Sequence, residues 1–159
     1  MTLEIVTADD RWHDLPLETI AKRASDATLD HVGLNPGGFL IALLACDDAR
    51  IAELNADFRG KAKPTNVLSW PVEVRDPALR PKGGPPNDPE ELGDIAIAYE
   101  TCLSEAEAGG IDAPDHVTHL IVHAILHLLG YDHETDAQAE VMERLEVEIL
   151  ARMGIANPY

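Results

Sequence analysis

The sequence contains few cysteines, and no segment of it is apolar enough for a membrane protein. Cys46 and Cys102 are the two cysteines among its 159 residues. Two isolated thiols form neither a disulfide framework nor a cysteine metal motif, so we expect core thiols in a reducing compartment and no disulfide-linked partner. The N-terminus lacks the basic flank and apolar stretch of a signal peptide, and the longest apolar run, 39–46, is too short to span a bilayer. We therefore expect a cytoplasmic protein with no membrane association.

Cations are also scarce, since 12 Lys and Arg face 29 Asp and Glu and leave a formal net charge of −17. A chain this acidic should repel bulk nucleic acid and anionic membranes. Half of the cations nevertheless fall between residues 59 and 82, a window that contains only two acids. These cations are Arg59, Lys61, Lys63, Arg75, Arg80 and Lys82. The window is either an ordinary solvated loop, which charge alone favours, or a local anion-binding surface.

The length of the chain is sufficient for one domain with one core, so residues 1–159 are expected to form a single domain. Apolar patterning predicts strands at 3–7, 39–46, 67–70 and 94–98. The continuous apolar run at 39–46 indicates a strand that is covered on both faces. Residues 75–91 contain five prolines and two glycines, which is typical of a mobile loop. Strands interspersed with helices predict an α+β layered domain with a small mixed sheet packed against helices.

Five helices are predicted around these strands. They begin at an Asp14 N-cap, at Asp47 or Asp48, after residue 98, near Asp112, and at the Thr135–Gln138 capping box. The second of them should end at Gly60 and place Ile51, Leu54 and Phe58 on one side. The fourth should run to Gly130, and the sequence within it is apolar nearly all round.

Five of the seven histidines lie between residues 116 and 133. On the fourth helix, His116, His119, His123 and His127 would occupy an arc of about 80°. His119 and His127 would lie about 12 Å apart along the helix axis, too far to share one ion. A metal pair on this helix must therefore be either 119/123 or 123/127.

The residues after the helix favour the second pair. Gly130 is suited to a left-handed helix end that lets the chain double back and return His133 to the last turn. The resulting spacing, H-x-x-x-H-x-x-G-x-x-H, matches the three-histidine zinc frame of the extended metalloprotease motif. Three protein ligands leave one position open, as in catalytic zinc sites. We predict one zinc ion per chain, held by His123, His127 and His133; the alternative is three hydrogen-bonded histidines at a helix end.

Two further observations limit this interpretation. Position 124 is Ala, where the peptide-cleaving H-E-x-x-H frame has the glutamate that acts as its general base. A peptidase is therefore disfavoured unless its base is displaced. His116 and His119 are interpreted as surface residues or as residues that support the metal ligands.

Three blocks of the sequence resemble one known family. The block 123–133, with a small second residue and the ending G-Y-D-H, looks like the signature of the YbeY family of metal-dependent endoribonucleases. Residues 54–71 are similar to a second stretch typical of that family, and residues 92–95 resemble a third. The order and spacing of the elements agree from about residue 3 to residue 153. The resemblance therefore covers nearly the whole chain, and it implies a zincin-like helix carrying the histidines.

The resemblance implies a single-strand endoribonuclease that acts in ribosomal RNA maturation, at the 3′ end of small-subunit rRNA, and in ribosome quality control. Ribosomal RNA and ribosome-associated proteins would be its partners. Arg59 would lie near the metal as a catalytic residue, and Lys61 and Lys63 would bind the substrate backbone. A guanidinium beside a metal suits a phosphodiester, which gains negative charge in its transition state. The alternative for Arg59 is a cation that stabilises the end of its helix dipole.

The sequence departs from the family pattern at Asn66, where Asp is usual, and at Trp70, where Phe is usual. Neither is a predicted ligand, but Asn66 lacks a charge and could weaken a hydrogen bond. The general base stays unassigned. Two other functions compete with the nuclease: a metallopeptidase with a displaced base, and a non-catalytic ribosome-associated factor stabilised by its metal. The strongly acidic composition suits the latter, because general affinity for RNA should be poor.

Overall fold

A four-stranded mixed sheet with five helices packed on it makes up the computed structural model, which describes residues 3–159. The strands are β1 (Leu3–Thr7), β2 (Phe39–Cys46), β3 (Val67–Pro71) and β4 (Glu90–Ala98). The helices are α1 (Leu17–His31), α2 (Asp48–Arg59), α3 (Tyr99–Gly109), α4 (Ala113–Leu128) and α5 (Asp136–Arg152). The α+β class and the small mixed sheet predicted from the sequence are confirmed.

The sheet has the strand order β1-β2-β4-β3. β2 pairs in parallel with both β1 and β4, whereas β3 runs antiparallel to β4 and forms one edge of the sheet. The parallel pairs need crossover connections, which α1 and the segment from α2 to β3 provide. The antiparallel edge strand β3 packs beside α4, and this contact places the histidine helix along one side of a cleft.

Alternation along the two central strands separates two cores. Ile41 and Leu43 of β2, with Ile95 and Ile97 of β4, pack into the larger core together with α1, α4 and α5. The opposite face carries a smaller cluster built from Cys46, Leu68, Ala96, Ala98 and the α2 residue Ile51. Strand β2 is covered on both faces as predicted, but only one face is fully buried because α2 covers the other face only in part.

The histidine helix α4 crosses the larger core. It contacts α1, α3, α5 and β3, so apolar side chains are buried around nearly its whole circumference, as predicted. Its buried apolar residues are Val117, Leu120, Ile121, Val122, Ala124, Ile125, Leu126 and Leu128. A helix held on so many sides is a rigid support for the polar side chains of its remaining stripe.

The structure differs from the predicted boundaries at the start of α1. Asp14 ends a short 3-10 helix, Asp10–Asp14, and α1 begins at Leu17 without a side-chain cap. The cause is tertiary: Trp12 is buried, and its indole Nε1 donates to the carbonyl of Cys46 at 2.9 Å. This bond holds the 3-10 helix against the end of β2, so the regular helix starts later.

The proline-rich segment is anchored at several points. β4 begins at Glu90, four residues earlier than predicted, so the irregular segment after β3 ends at residue 89. The guanidinium of Arg75 is nearly buried and pairs with Glu90 at 3.1 Å, and the amide of Gly84 donates to the carbonyl of Gly38 at 2.9 Å. These contacts hold the segment against the sheet. The mobility of residues 75–91 stays a prediction.

Both cysteines are free and buried, as expected of core thiols. Over residues 3–159, none of the helices combines the length and the apolar character that a membrane span requires.

Candidate metal centre

Three imidazoles meet at the end of α4. The Nε2 atoms of His123 and His127 lie 3.1 Å apart, and the ring of His133 is centred 5.1 Å from that of His127. One ring nitrogen from each of these three histidines lies within 4.8 Å of the other two. Such a spacing fits nitrogens that share one ion with bonds of about 2 Å. Within residues 3–159 this is the group of ligand-type side chains that could hold a metal ion.

The turn after α4 brings His133 into this group. Gly130 adopts a φ of 102°, and its amide donates to the carbonyl of His127 at 3.0 Å while the amide of Tyr131 reaches back to Leu126 at 3.1 Å. A β-carbon at position 130 would collide with the carbonyl of Arg75. Glycine is therefore required twice, by the backbone angle and by the close approach of the proline-rich segment.

Hydrogen bonds orient the two ligands on the helix. The Nδ1 of His127 lies 2.9 Å from the carbonyl oxygen of Tyr131, and the Nδ1 of His123 lies 3.2 Å from the Glu146 carboxylate. Both partners are acceptors, so each Nδ1 carries the proton and each Nε2 keeps its lone pair. The two Nε2 atoms face each other and are free to bind a metal, in the arrangement common to metal-ligating histidines.

The pKa values of His127 and Glu146 favour the binding of a cation at this site. Burial, followed by the nearby charges of His123 and His133, lowers the pKa of His127 to about 4. Burial would raise the pKa of Glu146, but hydrogen bonds from His119 and His123 outweigh it and lower the pKa to about 2. Near neutral pH, His127 is therefore neutral, as a metal ligand must be, and Glu146 is ionised.

Glu146 is a residue of the site that the sequence interpretation missed. Its side chain is 1% exposed, and its Oε1 lies 2.6 Å from the Nε2 of His119. The hydroxyl of Tyr159 donates to both carboxylate oxygens, at 3.0 and 3.1 Å. One signal could have revealed Glu146: it lies four residues after Met142 and four before Leu150, on the apolar face of α5. An acid in such a position needs a buried partner. No comparable pattern marks Tyr159.

The first histidine of α4 belongs to a separate network. The Nε2 of His116 lies 2.9 Å from Glu105, and the side-chain amide of Asn66 donates to the same carboxylate at 3.0 Å. The Asn66 oxygen accepts from the amide of Val67 at 2.7 Å. Asn66 thus keeps both of its side-chain hydrogen bonds, whereas an Asp in its place would set a second carboxylate beside that of Glu105.

The three histidines lie in a cleft of about 750 Å³ between α4, β3 and the end of α2. Arg59 lines this cleft, and within the described chain it has no ion pair. Arg75 also lines it but is neutralised by Glu73 and Glu90. Lys61 and Lys63 are exposed on the loop after α2 and are not among the residues that line the cleft.

Two acids lie on the lining of the cleft, in addition to the buried Glu146 behind His123. Ala124 is buried in the wall of the cleft, so the position of the peptidase glutamate offers no carboxylate. Asp132 and Glu134, which flank His133, are the acids among the lining residues. The carboxylate of Asp132 accepts from the backbone amide of His133 at 2.8 Å and so helps to hold the third imidazole in place.

Comparison with known proteins agrees with this geometry. A family model described as Endoribonuclease YbeY matches residues 5–154. Proteins named Endoribonuclease YbeY from Dinoroseobacter shibae and Paracoccus denitrificans are 57% and 54% identical, over 99% of this chain and 90% and 89% of theirs. A third, from Jannaschia sp., is 52% identical over the full length of both chains.

A solved structure shows the same fold at much lower identity. The solution structure of a Thermotoga maritima protein aligns with a TM-score of 0.58 and 20% identity, covering 96% of this chain and 92% of that one. The resemblance inferred from the histidine block and from residues 54–71 is thus confirmed by independent matches along nearly the whole chain. The chain belongs to the YbeY family of endoribonucleases.

Proposed function

We propose that this protein is a zinc-dependent endoribonuclease that cleaves unpaired segments of ribosomal RNA. Its place would be in the maturation of the small-subunit rRNA 3′ end and in ribosome quality control. One observation carries the proposal: three imidazole nitrogens lie within 4.8 Å of one another in a cleft that Arg59 also lines. The names of the relatives supply the substrate class, since each is called an endoribonuclease.

The donor set supports zinc as the metal. Neutral imidazole suits zinc and other transition metals, whereas magnesium and calcium prefer oxygen ligands. His123, His127 and His133 would hold one ion and leave a coordination position open, which is the pattern of catalytic zinc sites. A zinc ion there would supply Lewis acidity and lower the pKa of a coordinated water.

The protein's own residues would position the RNA. The guanidinium of Arg59, which has no competing ion pair among the described residues, would donate to the oxygens of the scissile phosphate. Such donors stabilise the charge that develops in the transition state. Lys61 and Lys63, exposed on the loop that follows, would bind phosphates where the RNA leaves the cleft.

The charge of −17 restricts how RNA could bind. General electrostatic attraction is unfavourable, so recognition would depend on the cleft and on ribosome-associated proteins that hold the enzyme near its substrate. The whole chain would act as one domain, 1–159, in the cytoplasm with ribosomal RNA as its partner. The absence of a glutamate at position 124 argues against the peptidase alternative.

Metal content and cleavage test the proposal together. Elemental mass spectrometry on chelator-free protein should find one zinc per chain in the wild type and none in His127→Ala. Single-stranded rRNA fragments should be cleaved by the wild type and not by His127→Ala. Arg59→Glu should retain zinc and lose cleavage, and Arg59→Lys should recover part of it because it restores the charge without the bidentate geometry.

Other outcomes would favour the competing functions. Chelator-sensitive degradation of casein without RNA cleavage would indicate a metallopeptidase. Loss of thermal stability on metal removal, with neither substrate cleaved, would indicate a metal-stabilised factor. Wild-type protein without stoichiometric metal would contradict the zinc site itself.

A further inference from the structure

Aromatic side chains are concentrated around the candidate metal cleft. The chain has seven aromatic residues, and four of them line this one cleft. These four are Phe58, Trp70, Tyr131 and Tyr159. The others are placed elsewhere, with Trp12 and Phe39 fully buried in the core. A protein with so few aromatic residues thus places most of them where a ligand could contact them.

Phe58 is the most unusual of the four. It shares one side of α2 with the buried Ile51, as the sequence predicts, but its own side chain is 63% exposed. The ring does not follow Ile51 into the core because it turns towards Trp70 on β3. The two ring centroids lie 5.1 Å apart with an interplanar angle of 59°. Its exposed face at the cleft is available to a planar ligand, whose contact would remove apolar surface from water.

Trp70 holds this ring in place. It packs against the small apolar cluster between α2 and the sheet, and it lies on a strand that is hydrogen-bonded along β4. Phe58 therefore has one edge supported by a fixed indole while the rest of its ring faces solvent at the cleft. A ring that is already oriented loses little side-chain entropy when a ligand stacks on it.

The residue after Phe58 supplies a cation that could bind the phosphate of a nucleotide. Arg59 follows Phe58 directly, lines the same cleft and has no ion pair within residues 3–159. An aromatic face beside a free guanidinium matches a base and its phosphate, and base–aromatic stacking is the usual way to bind single strands. In a duplex both faces of each base are covered by stacking, so such a site selects unpaired nucleotides.

We propose that Phe58 and Trp70 form a base-stacking subsite that binds one nucleobase of an unpaired RNA strand beside the phosphate held at Arg59. The proposal rests on the proposed nuclease function and adds to it a specific contact. Phe58 would contribute to substrate binding and positioning, and it has no contact with the three candidate metal ligands among the contacts of the described chain.

Binding of a non-cleavable RNA tests the subsite apart from chemistry. A 2′-O-methyl single-stranded pentanucleotide should quench the fluorescence of Trp70, since Trp12 is buried with its indole bonded to a carbonyl. Phe58→Leu, which keeps an apolar side chain but removes the ring, should weaken binding about 10- to 100-fold. Phe58→Tyr should bind like the wild type. Zinc content and melting temperature should stay unchanged in both variants.

An oligonucleotide with a single abasic position provides a control that needs no mutation. When the abasic site is moved along the strand, one position should weaken binding to the wild type about as much as Phe58→Leu does, and it should not weaken the variant further. In cleavage assays the loss should appear mainly in KM.

The outcomes separate this proposal from the one on which it rests. If the wild type cleaves RNA and Phe58→Leu binds and cleaves equally well, the subsite is refuted and the nuclease stands. The subsite is also refuted if Phe58→Leu weakens intact and abasic strands by the same factor. If the wild type neither binds nor cleaves RNA, both proposals fail.

Discussion

The two halves of the histidine stripe on α4 share one helix face and one residue type, yet they differ in what they can do. His116 and His119, in the first half, each face a single carboxylate, Glu105 and Glu146. His123 and His127, in the second half, face each other at 3.1 Å. The first half forms ordinary hydrogen bonds, whereas the second leaves two lone pairs directed at one point.

The two halves differ in which ring nitrogen contacts a neighbouring carboxylate, and His123 is the clearest case. It shares the Glu146 carboxylate with His119, but it uses Nδ1 for that bond and keeps Nε2 for the other side. In His119, by contrast, it is the Nε2 that forms the hydrogen bond to the carboxylate. A third imidazole returns only beyond the C-terminus of the helix, after Gly130. Metal binding on this helix face therefore depends less on the number of histidines than on which ring nitrogen of each is not used in a hydrogen bond.

The largest effect should come from removing one histidine from each half. His123→Ala should eliminate stoichiometric metal and reduce RNA cleavage to background, because only two ligands remain. His116→Ala should keep one equivalent of metal, since its partner Glu105 belongs to a different network. Elemental analysis and cleavage assays on the two variants check this. Equal loss of metal in both would show that the two halves form one site.

Neutralising the carboxylate that contacts His116, or the one that contacts His123, should have a smaller effect. Glu146→Gln takes away the charge that orients His123 and should weaken metal affinity about 10- to 100-fold. Glu105→Gln, its matched control, should change that affinity little, because the hydrogen-bond partners of Glu105 among the described residues are only His116 and Asn66. Competition with a chromophoric chelator measures both. The assigned role of Glu146 is wrong if the two variants bind metal alike.

The turn that completes the second half can be altered through its glycine. Gly130 and Gly154 both have positive φ, but a β-carbon would collide with the Arg75 carbonyl at position 130 and meet open space at position 154. Gly154→Ala should lower the free energy of unfolding by about 1 kcal/mol and Gly130→Ala by about 2 kcal/mol. Urea denaturation of metal-free protein checks this. Only Gly130→Ala should also weaken metal binding, and equal costs would contradict the close approach.

The smallest effect is expected in the pH dependence of the metal-free protein. The pKa of His127 is about 4 in the folded state against an ordinary value of 6.5. As the pH falls from 6.5 towards 4, the unfolded chain therefore binds a proton that the folded chain does not, and stability decreases. Because the ring is partly exposed, the loss should be only about 1 kcal/mol.

Chemical denaturation between pH 7.5 and 4.5 in a chelating buffer measures this loss. Subtracting the profile of His127→Ala isolates its contribution from other titrating groups, and the difference should vanish above pH 7. A parallel loss from Glu146, whose pKa is about 2 against an ordinary 4.5, should begin only below pH 4.5. A flat difference between pH 6.5 and 4.5 would show that the pKa of His127 is not lowered by burial.

Several elements could be predicted because their signals are local. The capping box of Thr135 and Gln138 starts α5 as predicted, and α2 runs from an Asp47 cap to Gly60. The grouping of the three histidines could likewise be predicted, because they and Gly130 lie within eleven residues of chain. The start of α1 could not be predicted in this way, because the indole of Trp12 bonds to a residue of β2 that is distant in sequence.

The sequence by itself determined the fold class, the family and the group of three imidazoles, because helical periodicity and one glycine turn place those rings through neighbouring residues alone. Only the tertiary structure decided which nitrogen His123 keeps free, through its contact with Glu146 on α5. It also decided that Arg59 and the exposed ring of Phe58 line the same cleft. These features depend on packing between elements far apart in the chain, which no local pattern records.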